Sequence, residues 1–217
     1  MTGRISARQF HEAGGVEDWR VLLGDRAYSH FRTQSFAQGV SLVNAIGALA
    51  DAADHHPDLD LRYRGLTVRL WTHDVDGLST RDIELARRIS AAARELGIPA
   101  DPLSVEDVQV SVHVLDAATV MPFWRAVLGY RARGEEELLD PRGRGPSLWF
   151  QRTAPPGRQR SPIHVGVSLP SDEAEARVAA AVAAGGRVVS GEHAPGRWVL
   201  EDPEGNEVDV STWVGRD

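Results

Sequence analysis

The feature that most constrains the fold is a break. Residues Gly97 to Glu106 read G-I-P-A-D-P-L-S-V-E, with two prolines and neither helical nor strand periodicity, and they separate two stretches whose apolar patterns differ in kind. A chain of 217 residues is longer than the commonest single domain and too short for three. The sequence therefore predicts two domains, 1–100 and 108–217, joined by a linker at 101–107.

In the first half, Ser6 to Ala13 predicts a short helix ended by Gly14 and Gly15, followed by strands Trp19–Leu23 and Ala27–Arg32 around Gly24-Asp25-Arg26. From Ser35 to Ala53, apolar residues at Phe36, Val40, Val43, Ile46, Leu49, Ala50 and Ala53 mark one helical face. Pro57 is expected to stop that helix, leaving His55 and His56 at its exit. Strands Leu59–Tyr63 and Leu66–Trp71 then flank Arg64-Gly65, and Ser79 caps a helix running to Leu96. The order α-β-β-α-β-β-α predicts an α+β domain with its helices on one face of an antiparallel sheet.

The second half offers strand Val108–Leu115, helix Ala117–Leu128 and strands Tyr130–Glu136 and Ser147–Gln151. A similar run follows: strand Ile163–Leu169, helix Asp172–Ala184 and short strands Arg187–Val189, Trp198–Leu200 and Glu207–Val210. This is a weak internal duplication of a β-α-β-β-β unit.

Composition narrows the chemistry. The formal charge of -7 disfavours a protein that tracks phosphates, so nucleic acid is not an expected partner. Without cysteine there are no disulfides, thiolate nucleophiles or thiolate metal sites, and without lysine there is no Schiff-base chemistry. No apolar run approaches a membrane span, and the N-terminus, M-T-G-R-I-S-A-R-Q-F, lacks the apolar stretch of a signal peptide. The expectation is a cytoplasmic protein with no membrane partner.

Three of the eight histidines, His55, His56 and His73, fall between Asp54 and Ile83. Alternation from Leu61 to Leu70 suits a strand that brings the two histidine blocks together, giving an acid/base cluster. Taken alone, His55-His56 also reads as a cationic pair beside the carbonyls at a helix end. Asp82 has two readings, as the carboxylate of an S-x-x-D capping box or as a site residue. Asp74 likewise either begins the D-V-D-G turn or lines the site.

The blocks H-H-P-D, T-V-R-L-W-T-H-D and D-G-L-S-T-R-D-I-E-L-A, in this order and spacing, resemble the pterin-4a-carbinolamine dehydratase family over about Ser6 to Leu96. The resemblance implies dehydration of 4a-hydroxytetrahydropterin to quinonoid dihydropterin without metal or cofactor. It further implies that His55 and His73 form the acid/base pair, that His56 binds the pterin, and that Asp82 orients a histidine. Pro57, Thr72 and Asp74 are expected around the substrate. A homo-oligomer is implied as well.

The second half, with V-Q-V-S-V-H-V-L-D, F-W-R-A-V-L-G-Y and W-V-L-E-D-P-E-G-N-E-V-D-V, is similar to glyoxalase-like domains of the vicinal-oxygen-chelate superfamily over Val108 to Trp213. In metal-dependent members, ligands project from strands of paired modules. The matching positions here are Gln109, His164 and Asp209, with Gln151 a fourth and His113 four residues beyond Gln109 on the same strand face. Two amides, one imidazole and a short carboxylate make a poor divalent site, so the expectation is a metal-free domain holding an unidentified small ligand. Two alternatives stand beside the dehydratase reading: a non-catalytic pterin-binding or assembly module, or a main activity in the second domain as a metal-dependent lyase, a dioxygenase or a drug-binding protein.

Overall fold

The computed structural model describes residues 3–114, 116–118, 121, 130–143, 145–152, 163–183, 185–201 and 207–215, with the side chains of 163–165 outside the description. The chain divides into two compact units, one of 1–106 with 170–172 and 213–217, the other of 107–169 with 173–212.

The first unit runs β1 (Arg4–Ile5), α1 (Ala7–Glu12), β2 (Arg20–Leu22), β3 (Arg26–Arg32), α2 (Phe36–Ala53), β4 (Asp58–Arg62), β5 (Gly65–Leu70), β6 (Leu78–Ser79) and α3 (Thr80–Glu95). Strands β2-β3-β5-β4 form an antiparallel sheet in that order. Alternation in β3 and β5 sends Ala27, Phe31, Leu66, Val68 and Leu70 to one face. There they meet Phe10 of α1, Leu42 and Ile46 of α2, and Leu85 and Ile89 of α3 in a single core. Each such large side chain contributes roughly 1.5–3 kcal/mol by leaving water. The helices thus cover one face of the sheet, as the sequence predicts.

Three local features differ from expectation. Gly65 is the first residue of β5 rather than part of the turn, pairing with both Arg62 and Arg32. The imidazole of His30 covers it so closely that a β-carbon there would lie 2.3 Å from Cε1, so a larger residue would have to displace that ring. The small sheet of β1 and β6 was not foreseen, two residues being too short for a periodic signal. The predicted linker also begins within the first unit's sheet, since Arg32 N–H donates to Pro99 O and Asp101 N–H to His30 O.

Helix α2 is long and apolar enough to cross a membrane by composition alone. Its apolar character has another use here, because Gly39, Leu42, Ile46 and Ala50 are buried against the sheet and α3.

The second unit holds an eight-stranded sheet built from β7 (Asp107–Val114), β8 (Arg131–Arg133), β9 (Glu137–Leu139), β10 (Ser147–Arg152), β11 (Ile163–Ser168), β12 (Arg187–His193), β13 (Arg197–Glu201) and β14 (Glu207–Ser211), with α4 at Ala174–Ala183. The order β12-β13-β14-β11-β7-β10-β9-β8 is a palindrome of two modules. Each module's first strand pairs parallel with its last, and the two first strands, β7 and β11, pair antiparallel with each other. The duplication read from the sequence is real. Its first module has one strand more than predicted, because Tyr130–Glu136 holds only β8 and a turn, with Gly134 at φ 65°, and Glu137–Leu139 folds back on it as β9. Most of the predicted helix Ala117–Leu128 and the D-P-E-G-N turn lie outside the described residues.

One histidine of the first unit reports on its packing. His11 Nε2 accepts the Val21 N–H at 3.2 Å, and burial together with the charge of Arg20 depresses its imidazole from 6.5 to about 4. The unfolded chain takes up this proton first, so the contribution to stability is whole above pH 6.5 and is lost as pH falls toward 4. The thermal midpoint should therefore drop between pH 7.5 and pH 5, and His11→Gln should flatten part of that drop. His30, also lowered by burial, accounts for a further part. A slope unchanged by His11→Gln counts against the assignment.

Candidate active site

Three pieces of backbone converge in the first unit: the exit of α2, the turn after β5 and the start of α3. Helix α2 ends at Asp54, which adopts the left-handed conformation (φ 46°, ψ 43°) and donates its N–H to Ala50 O and Asp51 O. His55 N–H also donates to Ala50 O, at 3.1 Å. The stop is thus a left-handed cap three residues before Pro57 rather than the proline itself. Arg81, in the first turn of α3, clamps the same end, its Nη2 donating to the carbonyls of Ala53 and Asp54. The chain then turns inward, and His55 is only 5% exposed.

After β5, Thr72 N–H donates to Gly77 O at 2.7 Å and closes a loop containing a 3-10 turn, His73–Val75. The Thr72 hydroxyl is buried and donates to Asp82 Oδ2 at 2.7 Å. A carboxylate only accepts, which orders the remaining bonds. Thr72 has given its hydrogen to Asp82, so Ser79 Oγ–H donates to Thr72 Oγ1 at 2.7 Å, and Ser79 Oγ accepts from Arg81 N–H at 3.2 Å. Ser79 N–H donates to the same Asp82 oxygen at 2.7 Å, completing the capping box of α3.

The other oxygen, Oδ1, accepts from His55 Nε2 at 2.8 Å. Asp82 is fully buried and serves both as helix cap and as partner of His55, one oxygen for each. With its hydrogen on Nε2, neutral His55 keeps Nδ1 as an acceptor, and that atom has no protein partner among the described residues.

Above this network lies a cleft of about 290 Å³. His55, His56 and His73 line it together, as do Thr72 and Asp74, so the structure brings both histidine blocks into one place. Asp74 occupies the 3-10 turn and the cleft wall at once. Asp82 lies beneath the cleft and reaches it through His55, while half-buried Pro57 does not line it. His56 is exposed and its Nε2 bonds Asp51 Oδ1 at 3.1 Å. His73 is also exposed, with its ring 3.9 Å from that of Trp71.

Two lining residues, Arg81 and Asp54, were not singled out from the sequence. Arg81 stands inside the quoted S-T-R-D block, but its bonds to carbonyls 27 and 28 residues earlier have no local signature.

In the second unit, the register sets Gly166 of β11 directly between Gln109 of β7 and Asp209 of β14, with His164 two positions away. Both Asp209 oxygens accept from Arg197 Nη2, at 3.1 and 2.9 Å. Gln109 Nε2 donates to Ser147 Oγ at 3.0 Å and to Glu137 Oε1 at 3.3 Å. Gln151 lies opposite His113 in the register, and its Oε1 is buried with no hydrogen bond among the described residues. The Arg197 guanidinium thus engages both Asp209 oxygens, and its positive charge disfavours a divalent cation beside them. Among the described residues there is no group of three His, Asp or Glu side chains suited to a metal.

The first unit is therefore an α+β layer with a histidine cleft over a buried carboxylate, and the second is a duplicated sheet module. Residues 4–92 match the family model for pterin 4 alpha carbinolamine dehydratase, and residues 109–211 match that for a glyoxalase-like domain. A protein from Nocardia farcinica, provisionally named a pterin-4-alpha-carbinolamine dehydratase, is 42% identical over 79 residues, which span 36% of this chain and 82% of that protein. One of the same provisional name from Paracidovorax citrulli is 48% identical over 80 residues, 35% of this chain and 68% of the relative. A crystal structure described as a transcriptional coactivator/pterin dehydratase from Brucella melitensis superposes with a TM-score of 0.40 at 26% identity, covering 42% of this chain and 99% of that one. The chain belongs to the pterin-4a-carbinolamine dehydratase family through its N-terminal unit and carries a glyoxalase-like domain after it.

Asp82→Asn should reveal how much the network holds. The amide replaces an accepting oxygen by a donor that faces another donor, leaving a buried group unsatisfied, so a loss of about 1–3 kcal/mol is expected. Urea denaturation followed by circular dichroism measures it, and a change below about 1 kcal/mol, the worth of an ordinary hydrogen bond, contradicts the network.

Proposed function

We propose that the first unit is a 4a-hydroxytetrahydropterin dehydratase working by histidine acid/base catalysis. The observation that carries this reading is the His55–Asp82 bond at the floor of a cleft that two further histidines line. The reaction breaks the C4a–O bond and removes the hydrogen of the adjacent ring nitrogen, leaving a C=N double bond and water. It needs one proton delivered to oxygen and one taken from nitrogen, with no net redox change. Imidazoles that change charge near neutral pH do both.

In this reading His55 is the base. Asp82 holds its Nε2–H, keeps Nδ1 as the accepting atom and steadies the cation formed on proton uptake. His73, exposed on its turn, delivers the proton to the departing hydroxyl. His56, steadied by Asp51, binds the pterin and positions that hydroxyl. Thr72, Asp74 and Arg81 border the substrate, and Pro57 sets the backbone beside His56. The domains carrying the two functions divide as 1–100 and 108–217. The second binds a small ligand without a resident metal, and the protein works in the cytoplasm as a homo-oligomer.

His55→Ala and His73→Ala in the full-length protein should each lower carbinolamine dehydration by roughly 10²- to 10⁴-fold in a stopped-flow assay. An undiminished rate removes that histidine from the mechanism. Metal analysis of the purified protein should find no stoichiometric divalent ion, and one that is present and lost on His164→Ala overturns the metal-free reading of the second unit.

A further inference from the structure

The three cleft histidines are held in different ways. His55 is bonded to Asp82 and His56 to Asp51. The backbone of His73 is secured, because Thr72 and Gly77 close the loop and Asp76 N–H donates to His73 O at 3.1 Å. Its imidazole, however, makes no side-chain hydrogen bond among the described residues. What touches it is the indole of Trp71, with ring centroids 3.9 Å apart and planes inclined by 40°. An exposed imidazole free about two torsions spends little time in any one orientation, whereas proton transfer demands a narrow one.

Trp71 is well placed to impose it. It continues the alternation of β5 beyond Leu70, on the face opposite the core. The guanidinium of Arg26, from neighbouring β3, lies 4.6 Å from its ring centroid, a cation–π contact that braces the indole against the sheet. A half-buried, two-torsion aromatic slab is thus anchored to the rigid sheet and presents a surface to the ring of His73.

We propose that Trp71 is a positioning residue that holds the His73 imidazole for proton transfer, braced by Arg26. This rests on the reading of His73 as the proton donor. Trp71 does not line the cleft, and it acts through His73 rather than on the pterin.

The test uses full-length protein with Trp71→Leu and Trp71→Phe, first confirmed folded by circular dichroism. Trp71→Leu should lower kcat roughly 10- to 100-fold, the scale of a misplaced catalytic group, with KM little changed. Trp71→Phe, which keeps a ring, should recover most of the rate. In a His73→Ala background, Trp71→Leu should cost nothing more, since its effect passes through the missing imidazole. A readout independent of turnover is the proton spectrum of the His73 ring, identified by its loss in His73→Ala. Stacking shifts its signals upfield, Trp71→Leu should return them toward those of an exposed histidine, and Trp71→Phe should keep part of the shift.

Equal losses from Trp71→Leu with and without His73, or a raised KM at constant kcat, overturn the proposal in favour of a substrate-facing role. An unshifted His73 signal in the unmodified protein overturns it directly. If the shift is present but His73→Ala is fully active, the contact stands, the acid/base reading of His73 fails and the catalytic part of the proposal falls with it.

Discussion

The buried carboxylate of Asp82 is the constraint on which the first unit depends. A charge removed from water is costly unless it is paired and hydrogen-bonded, and Asp82 receives three donors from three segments: Ser79 N–H at the start of α3, the Thr72 hydroxyl after β5, and His55 Nε2 after α2. Thr72 and Ser79 lie within ten residues of Asp82, whereas His55 comes 27 residues before it. Satisfying one side chain therefore requires the helix exit, the turn and the helix entry to arrive together. The geometry of the cleft follows from that requirement, since His55 is held directly and the turn bearing His73 is held through Thr72.

The backbone around the cleft is built to serve this junction. A helix of 18 residues would carry the histidines onward along its axis if it continued, and the left-handed Asp54 ends it one residue before His55. Asp54 is short enough to tolerate that conformation. Its carbonyl then falls to Arg81, whose guanidinium neutralises the carbonyl end of α2 while its own backbone N–H bonds the cap residue Ser79. One arginine thus links the C-terminus of α2 to the N-terminus of α3.

Much of this was legible in the sequence, and the reasons differ by feature. The helices, the four-stranded sheet and the duplicated module rest on periodicity and turn residues, which are local signals. The S-x-x-D box showed that Asp82 caps α3, because that geometry spans four residues. That its second oxygen meets His55, 27 residues earlier, has no local signature and depended on the resemblance of the blocks. The same limit hid the role of Arg81 and the contact of Arg26 with Trp71, which joins neighbouring strands. The hairpin of β8 and β9 was missed for another reason: a continuous polar stretch around Gly134 has no apolar alternation to mark its turn.

The two units use the same kind of pair to opposite ends. Each has a carboxylate mostly hidden from water and bound to a nitrogen base, Asp82 with His55 and Asp209 with Arg197. An imidazole takes and releases a proton in the physiological range, so a carboxylate behind it steadies both states and makes the ring's free nitrogen useful. A guanidinium keeps its proton at any such pH, and its pairing with a carboxylate is fixed. The pair in the second unit therefore contributes position and charge balance. Which base stands against the buried acid thus decides whether such a pair is able to exchange a proton near neutral pH.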